Sequence, residues 1–218
     1  MIFGGIWMFT NLTLIDDAIL GDHYYLSDSD YCTFMGEYTA RRGYGYSDTN
    51  QLISNFKKDP SRRGMPEWRY KRVAIATIGN SLAHCLHRYV DQFSLVPIPP
   101  SKCKDDPAYD DRMVQALAHC QRRTPQIDFR ELVYQTSSTR TSHGSDDRLG
   151  PDELLQHYAI NHELVDGTRG TILVVDDLIT TGSHFKAMQR ILHECLPDRK
   201  IVGLFIARRV PESDFDII

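Results

Sequence analysis

The residue types best suited to chemistry stand close together between positions 171 and 183. An apolar strand pattern at residues 171–175 is followed at once by two carboxylates, Asp176 and Asp177, and then by a short turn at residues 180–183 that carries hydroxyl groups and a glycine. In an open α/β sheet, ligands bind beyond the carboxyl ends of the strands. The backbone N–H groups of such a turn and the positive end of the helix that follows can together hold a phosphate group. The segment therefore predicts a phosphate-binding turn directly after an acidic pair.

The two aspartates need a different part of the ligand, because carboxylates this close to a phosphate would repel it. Neighbouring sugar hydroxyls or a bound Mg²⁺ ion satisfy that condition. Successive residues of a strand point to opposite faces, so both side chains reach one sugar only where the strand passes into the turn. We expect a ribose 5-phosphate site, with the phosphate on residues 180–183 and the hydroxyls on Asp176 and Asp177.

Three other interpretations of this segment are a plain helix cap, a receiver domain and a nucleotide-binding loop. A plain helix cap beside solvated aspartates stays open as the simplest alternative. A receiver domain of two-component signalling also begins with an apolar strand and an acidic pair, but it needs a phosphoacceptor aspartate and a lysine far downstream, and only 42 residues follow Asp176. A nucleotide-binding loop of the Walker type ends in glycine, lysine and serine or threonine, and that ending is absent here.

The elements that must position this segment alternate between strand and helix. Apolar residues recur at helical spacing within residues 75–89, 113–120, 154–158 and 185–195. Strand patterns stand at residues 93–98, 171–175 and 201–207, with shorter ones at 12–15 and around 23–26. The alternation predicts an α/β fold with a largely parallel sheet, preceded by an irregular and partly β segment.

Composition is that of an ordinary globular protein. The chain has 218 residues, of which 41% are hydrophobic, and a net charge of −4, which argues against wrapping nucleic acid around the whole surface. No apolar run reaches the ~18–20 residues of a membrane span, and the apolar start lacks the basic leader of a signal peptide. We therefore expect a cytoplasmic protein that does not bind membranes. The five cysteines are scattered and the histidines lack partners at metal-ligand spacing, which favours free thiols over a zinc site.

Charge is distributed unevenly along the chain. Residues 1–40 contain no lysine or arginine, whereas residues 41–72 hold nine basic residues against three acidic ones. A solvated face of this kind needs no partner, but a basic stretch is also typical of a surface near a phosphate-rich ligand. A nucleic-acid or protein partner that binds through residues 41–72 is the functional alternative to a solvated face.

The motif from Val174 to Gly182 resembles the phosphoribosyl pyrophosphate (PRPP) motif of the type I phosphoribosyltransferases. The longer stretch from Phe93 to Arg209 is similar to the ComF-like branch of that family, although the cysteine-rich start of many ComF-like proteins is missing. The resemblance rests also on residues 96–102 at the end of a strand, on the polar segment 139–148, and on Ala207-Arg208-Arg209. It implies a type I phosphoribosyltransferase-like α/β core at residues 71–218, with a parallel sheet flanked by helices, and a small irregular N-terminal hood at residues 1–70.

The resemblance also implies a role for each matching residue. Asp176 and Asp177 would hold the ribose hydroxyls directly or through Mg²⁺, the cofactor, with PRPP as co-substrate. The 5-phosphate would lie on the backbone around Ile179 and on Thr180, Thr181, Gly182 and Ser183. The turn Pro100-Ser101-Lys102 would contact the pyrophosphate, with a plain structural turn as the alternative. Residues 135–150 would form a lid that excludes water, with Arg140 or Arg148 stabilising the departing pyrophosphate, and a plain surface loop is the alternative there.

The implied activity is Mg²⁺-dependent transfer of the phosphoribosyl group from PRPP to a base-like acceptor, with release of pyrophosphate through an oxocarbenium-like transition state. The alternative is a PRPP-sensing or effector module without ordinary salvage turnover, working in a protein or nucleic-acid complex such as a mobile antiviral defence system. The tyrosine-rich N-terminal part, including a loop at residues 43–50, would contact the acceptor, and aromatic residues that simply form core are the alternative there. Lys57 and Lys58 would face the phosphates. A homodimer is a further expectation.

Overall fold

A six-stranded sheet forms the centre of the molecule. The structure, a computed structural model, describes residues 8–139 and 149–211. The strands are β1 (Thr13–Leu14), β2 (Cys32–Thr39), β3 (Phe93–Pro97), β4 (Asp128–Phe129), β5 (Val133–Gln135), β6 (Tyr158–Ile160), β7 (Thr171–Ile179) and β8 (Lys200–Val210). The main sheet has the order β1-β2-β8-β7-β3-β4, and its strand pairs are parallel except β1 with β2. Strands β5 and β6 form a separate antiparallel ribbon.

Helices cover both faces of the main sheet. They are α1 (Asp48–Phe56), α2 (Trp68–Leu86), α3 (Arg112–Arg123), α4 (Pro151–Leu155) and α5 (Ser183–Cys195). Helices α1, α2 and α3 pack in one apolar core, and α4, α5 and the ribbon pack in another. Strand β7 contributes Leu173 and Val175 to the first core and Ile172 and Val174 to the second. Because both faces of β7 are buried, its sequence is apolar without alternation.

The predicted α/β fold with a largely parallel sheet flanked by helices is confirmed. The strands expected near residues 12–15, 93–98, 171–175 and 201–207 are present as β1, β3, β7 and β8. The strand expected around residues 23–26 is wrong, because the chain there forms turns after a short 3-10 helix, Leu20–Asp22. The helix expected through Tyr158 ends at Leu155, and Tyr158 instead begins β6. None of the described helices has the length and apolarity needed to span a membrane.

Part of the N-terminal segment belongs to the main sheet. Strand β2 pairs in parallel with β8, from Cys32 opposite Gly203 to Thr39 opposite Val210, although it comes from the residues assigned to a hood. The loop expected at residues 43–50 runs into α1, whose start is capped by Ser47 because its side chain accepts from the N–H of Asn50. The first four residues of β2 are all buried, so the strand lacks the alternating pattern by which a half-exposed strand is found.

Helices α2 and α3 approach closely at Gly79. A Cβ atom there would lie 2.7 Å from the carbonyl oxygen of Ala116 and 2.8 Å from the side chain of His119. The carbonyl oxygen is part of the backbone, so α3 as a whole would have to shift. We therefore expect Gly79→Ala to lower the free energy of unfolding by about 1–3 kcal/mol in urea denaturation, even though alanine favours helix by about 1 kcal/mol. Gly21→Ala, where no atom lies within 4 Å, is the control, and equal stability of the two variants would contradict the prediction.

Candidate functional site

A cavity of about 530 Å³ opens at the carboxyl ends of β3 and β7. Its walls come from the end of β7, the first turn of α5, the loop after β3, the start of α3 and the chain that follows α1. Most of the residues singled out in the sequence meet on this wall, namely Asp176, Asp177, Thr180, Ser183, Pro100, Ser101 and Lys102. Ile179, Thr181 and Gly182 belong to the same segment but are not among the lining residues. Arg140 and Arg148 lie outside the described residues.

The turn between β7 and α5 leaves the start of the helix without a side-chain cap. Gly182 is the N-cap residue, in the left-handed region at φ 85°, and it has no side chain with which to accept from the helix. The first N–H groups of any helix lack intrahelical acceptors, so they remain suited to an anion. Thr180 and Ser183 line the cavity on the two sides of this glycine. The turn can thus offer hydroxyl and backbone donors to one anionic group.

The N-terminal segment holds this turn from behind. The backbone N–H of Tyr25 donates to the carbonyl oxygen of Thr181 at 2.8 Å. A Cβ atom at Gly182 would lie 2.9 Å from Cδ2 of Leu26, so the glycine serves close packing as well as its positive φ. The Thr181 hydroxyl is buried and has no hydrogen-bond partner within the described part of the chain. Thr181 and Gly182 therefore shape the turn, and their side of it packs against the N-terminal segment.

Asp177 is committed to two cations of the protein. Arg112 donates to Oδ2 of Asp177 from Nε at 2.9 Å and from Nη2 at 2.7 Å, and Nζ of Lys57 lies 3.0 Å from Oδ1. Asp177 is only 4% exposed. Burial raises the pKa of Asp177, but the charges of Lys57 and Arg112 and their hydrogen bonds outweigh it and hold this pKa well below its usual range. The carboxylate therefore stays ionised inside the wall of the cavity.

A second carboxylate extends this network to α2. Asp110 accepts from Nη1 of Arg112 at 2.7 Å and from Nζ of Lys71 at 2.6 Å. Lys71 is 1% exposed and also donates to the carbonyl oxygen of Lys58 at 2.6 Å. Burial lowers the pKa of Lys71, although the hydrogen bond and the charge of Asp110 act in the opposite direction. The alternating charges connect β7, α3 and α2 and fix one wall of the cavity.

Asp176 has a different environment from its neighbour. It is partly exposed, and its Oδ1 accepts the backbone N–H of Asp177 at 2.7 Å. Burial raises the pKa of Asp176 and the charge of Asp177 raises it further, with Lys57 acting more weakly in the opposite direction. Nearby, the hydroxyl of Tyr158 is 2.9 Å from Nδ1 of His184, and burial together with the charge of Asp176 raises the pKa of Tyr158. The two aspartates are therefore unequal, and Asp176 is the carboxylate that the cations of the wall do not contact directly.

The turn at residues 100–102 is anchored to the start of the segment predicted as a lid. The carbonyl oxygen of Ser101 accepts from the N–H of Thr139 at 2.8 Å and from Nε2 of Gln135 at 2.8 Å. Nζ of Lys102 donates to the carbonyl oxygen of Thr139 at 3.1 Å and lies 3.9 Å from Asp106. The peptide bonds of this turn, like those of the other described residues, are trans. Lys102 reaches the cavity with its ammonium group already placed by neighbouring oxygens.

Sequence reasoning found one of the two cations that hold Asp177. Lys57 and Lys58 were both expected near the phosphates. Lys57 lies on the cavity wall, whereas Lys58 is not among the lining residues. Arg112 belongs to no recognisable motif, and it begins α3 directly after Asp110 and Asp111. Its only signal in the sequence is indirect, because a buried carboxylate has to be paired with a cation.

The cavity wall carries more negative than positive groups. Its described lining has six carboxylates, from Asp59, Asp110, Asp111, Glu131, Asp176 and Asp177, against four cations, from Lys57, Lys102, Lys104 and Arg112. No cluster of three or more His, Cys, Asp or Glu side chains suited to a metal occurs among residues 8–139 and 149–211. Mg²⁺ bound together with a phosphate ligand needs only one or two protein carboxylates, the rest being water and phosphate oxygens. Asp176 fits that donor set.

No protein-family model and no curated protein matches this chain at a significant level. The class defined by fold and site is an α/β protein with a mostly parallel sheet and a cavity at the carboxyl ends of its strands.

Proposed function

We propose that the chain is a Mg²⁺-dependent phosphoribosyltransferase with a type I core, which transfers the phosphoribosyl group of PRPP to a base-like acceptor and releases pyrophosphate. One observation carries the proposal. Asp176, the uncapped start of α5 and the turn at residues 100–102 lie on the wall of one cavity. These features offer partners for the ribose, the 5-phosphate and the pyrophosphate of a single ligand.

The 5-phosphate binds at the start of α5 in this proposal. Thr180 and Ser183 donate hydroxyl hydrogen bonds, and the N–H groups of the first helical turn add backbone donors. Each charge-assisted hydrogen bond contributes about 1.5–3 kcal/mol, whereas the helix dipole adds about 0.3–1 kcal/mol. The hydroxyl and amide donors therefore dominate the affinity for this group.

Transfer then needs orientation more than a protein nucleophile. The bond from the anomeric carbon to pyrophosphate breaks as a bond to a base nitrogen forms, and positive charge develops on the sugar. Asp176 accepts from the ribose hydroxyls and Lys102 neutralises the leaving group. The exclusion of water by residues 135–150 and the stabilisation of the departing pyrophosphate by Arg140 or Arg148 stay predictions. When bound with PRPP at Asp176, Mg²⁺ supplies positive charge to the pyrophosphate oxygens.

The second candidate is a module that binds PRPP without ordinary turnover, and the state of Asp177 favours it. The Asp177 carboxylate is engaged by Arg112 and Lys57. That leaves Asp176 to serve both the ribose and the metal, so fewer groups remain to stabilise the developing sugar cation. Such a site would suit a sensor or an effector in a protein or nucleic-acid complex.

Calorimetric titration with PRPP, with and without Mg²⁺, tests binding, and pyrophosphate release across a panel of free bases tests turnover. We expect binding that requires Mg²⁺ and release with at least one base. Thr180→Val should weaken binding about 10-fold, because one hydrogen bond to a charged group is lost. Thr168→Val is the matched control, since the Thr168 hydroxyl is buried without a partner in the described structure and is not among the cavity-lining residues. Binding without release would favour the sensor, and absence of PRPP binding would exclude both functions.

A further inference from the structure

The basic stretch at residues 41–72 separates into an inner and an outer part. Lys71 is buried against Asp110, and Lys57 pairs with Asp177 although its side chain is 40% exposed. Seven basic residues remain at the surface, all exposed except the half-buried Lys58, namely Arg41, Arg42, Lys58, Arg62, Arg63, Arg69 and Arg72. The excess positive charge of this stretch therefore lies on the outside of the protein.

Exposed aromatic rings alternate with these cations. Tyr44, Tyr46 and Tyr70 are between 43% and 53% exposed. The guanidinium of Arg42 lies 5.7 Å from the ring centre of Tyr46, and that of Arg69 lies 4.8 Å from the ring centre of Tyr70. Each of these rings therefore presents an exposed aromatic face beside a cation.

A chain of contacts joins Tyr44, Lys58, Tyr70 and Arg69 on this surface. Nδ2 of Asn55 donates to the hydroxyl of Tyr44 at 3.2 Å, and Nζ of Lys58 donates to Oδ1 of the same asparagine. The ammonium of Lys58 also lies 5.8 Å from the ring centre of Tyr70, which in turn contacts Arg69. We call the seven surface cations of residues 41–72, together with Tyr44, Tyr46 and Tyr70, the basic strip. It runs from the loop before α1 across the end of that helix to the start of α2.

We infer that the basic strip binds single-stranded nucleic acid. Proteins that hold single strands combine cations that follow the phosphates with aromatic faces on which unpaired bases stack, and the strip presents both groups in contact with each other. A duplex hides its base faces, so exposed tyrosines would add nothing to its binding. Acidic groups are sparse in residues 41–72, and one of the three, Glu67, lies 3.6 Å from Arg62. The inference does not rest on the proposed transferase activity.

Fluorescence anisotropy with a labelled oligouridylate of about twelve nucleotides tests the inference, since single-strand sites span about 4–16 nucleotides. We expect binding whose log affinity falls with log salt by about 0.7 for each phosphate contacted, with several contacts. The double variant Arg63→Glu/Arg69→Glu should bind at least about ten-fold more weakly and show a smaller salt slope. Arg122→Glu/Arg123→Glu is the matched control, because it makes the same charge change at exposed positions at the end of α3.

Stacking of bases on the exposed tyrosines is tested separately. Tyr70→Ala should weaken binding about ten-fold with an unchanged salt slope, because stacking does not release counterions. Tyr89→Ala, at an exposed tyrosine beyond the other end of α2, should leave the affinity unchanged. Circular dichroism shows that each variant is folded.

Three outcomes would overturn the inference. One is the absence of salt-sensitive binding by the wild-type protein. Another is an equal loss of affinity in the Arg63/Arg69 and Arg122/Arg123 variants. The third is binding of a DNA duplex or of polyglutamate as tight as that of the oligouridylate, which would assign the strip to polyanions in general.

Discussion

Replacing Arg112 by methionine is expected to lower the free energy of unfolding by about 3 kcal/mol, the low end of the range for breaking a buried ion pair. Asp177 and Asp110 both lose a hydrogen-bonded cation in this variant. The loss stays at the low end because Lys57 remains on Asp177 and Lys71 remains on Asp110. Methionine keeps much of the length and apolar stem of arginine, so the change reports mainly the missing charge.

Urea denaturation of Arg112→Met against wild type measures this loss. Arg122→Met on the same helix is the control, because Arg122 is exposed at the helix end and its change should stay within about 0.5 kcal/mol. Arg112→Lys should fall between wild type and Arg112→Met, since it keeps the charge and loses the two-pronged geometry. A loss for Arg112→Met no larger than for Arg122→Met would refute the network as a source of stability.

The loss should also depend on pH. The pKa of Asp177 is lowered in the folded state. Its ion pairs therefore stabilise the fold at pH values above the usual pKa of aspartate, and this stabilisation is lost as the pH falls through the folded-state pKa. The difference in the free energy of unfolding between wild type and Arg112→Met is therefore expected to be largest at neutral pH and to decrease in acid. A difference independent of pH would indicate lost packing and not lost charge.

Replacing Asp176 by asparagine is expected to weaken binding of Mg²⁺ and PRPP about 100-fold, which corresponds to about 2.7 kcal/mol. Asparagine has nearly the same shape as aspartate but gives the metal a neutral amide in place of a charged ligand. Calorimetry with PRPP and Mg²⁺ measures the loss. Asp198→Asn, at an exposed turn before β8, should bind like wild type.

The same substitution is expected to stabilise the ligand-free protein near neutral pH by about 1–2 kcal/mol. The folded-state pKa of Asp176 is raised by burial and by Asp177, so wild type loses stability as the pH rises from the usual aspartate range through the folded value. The asparagine side chain has no such titration, which makes Asp176→Asn more stable above that window and not below it. Thermal melts should show a gain of about 2–4 °C for each kcal/mol. Normal PRPP binding by the variant would show that Asp176 does not hold the metal. Lower stability near neutral pH would show that ionised Asp176 does not destabilise the fold.

The strand, the turn and the helix of the segment from β7 to α5 could be predicted from the sequence alone. Its apolar run is continuous because both faces of β7 are buried, and its glycine stands where the chain needs a positive φ. The pairing of Asp177 with Arg112 could not be predicted from the sequence, because Arg112 is 65 positions away and no local pattern pairs distant charges. The inequality of the two aspartates follows from those partners, so it too became visible only in the folded chain.

The N-terminal part was the least predictable region. Periodicity identifies elements with one exposed face, whereas β2 begins with four buried residues and owes its place to pairing with β8. The prediction of a hood at residues 1–70 missed the contact that Tyr25 and Leu26 make with the turn at residues 180–183. The roles of Arg140, Arg148 and the acceptor-binding residues stay predictions.

The pairing of β2 with β8 has a consequence for synthesis on the ribosome. Strand β2 leaves the ribosome before β8, with roughly 160 residues between Thr39 and Lys200. At about 5–20 residues per second, that interval is on the order of ten to thirty seconds. During it the nascent chain carries a strand whose neighbour has not yet been translated, and such an open edge is a site of misassembly. Chaperone dependence of this protein should therefore concentrate in the nascent stage, before β8 is released.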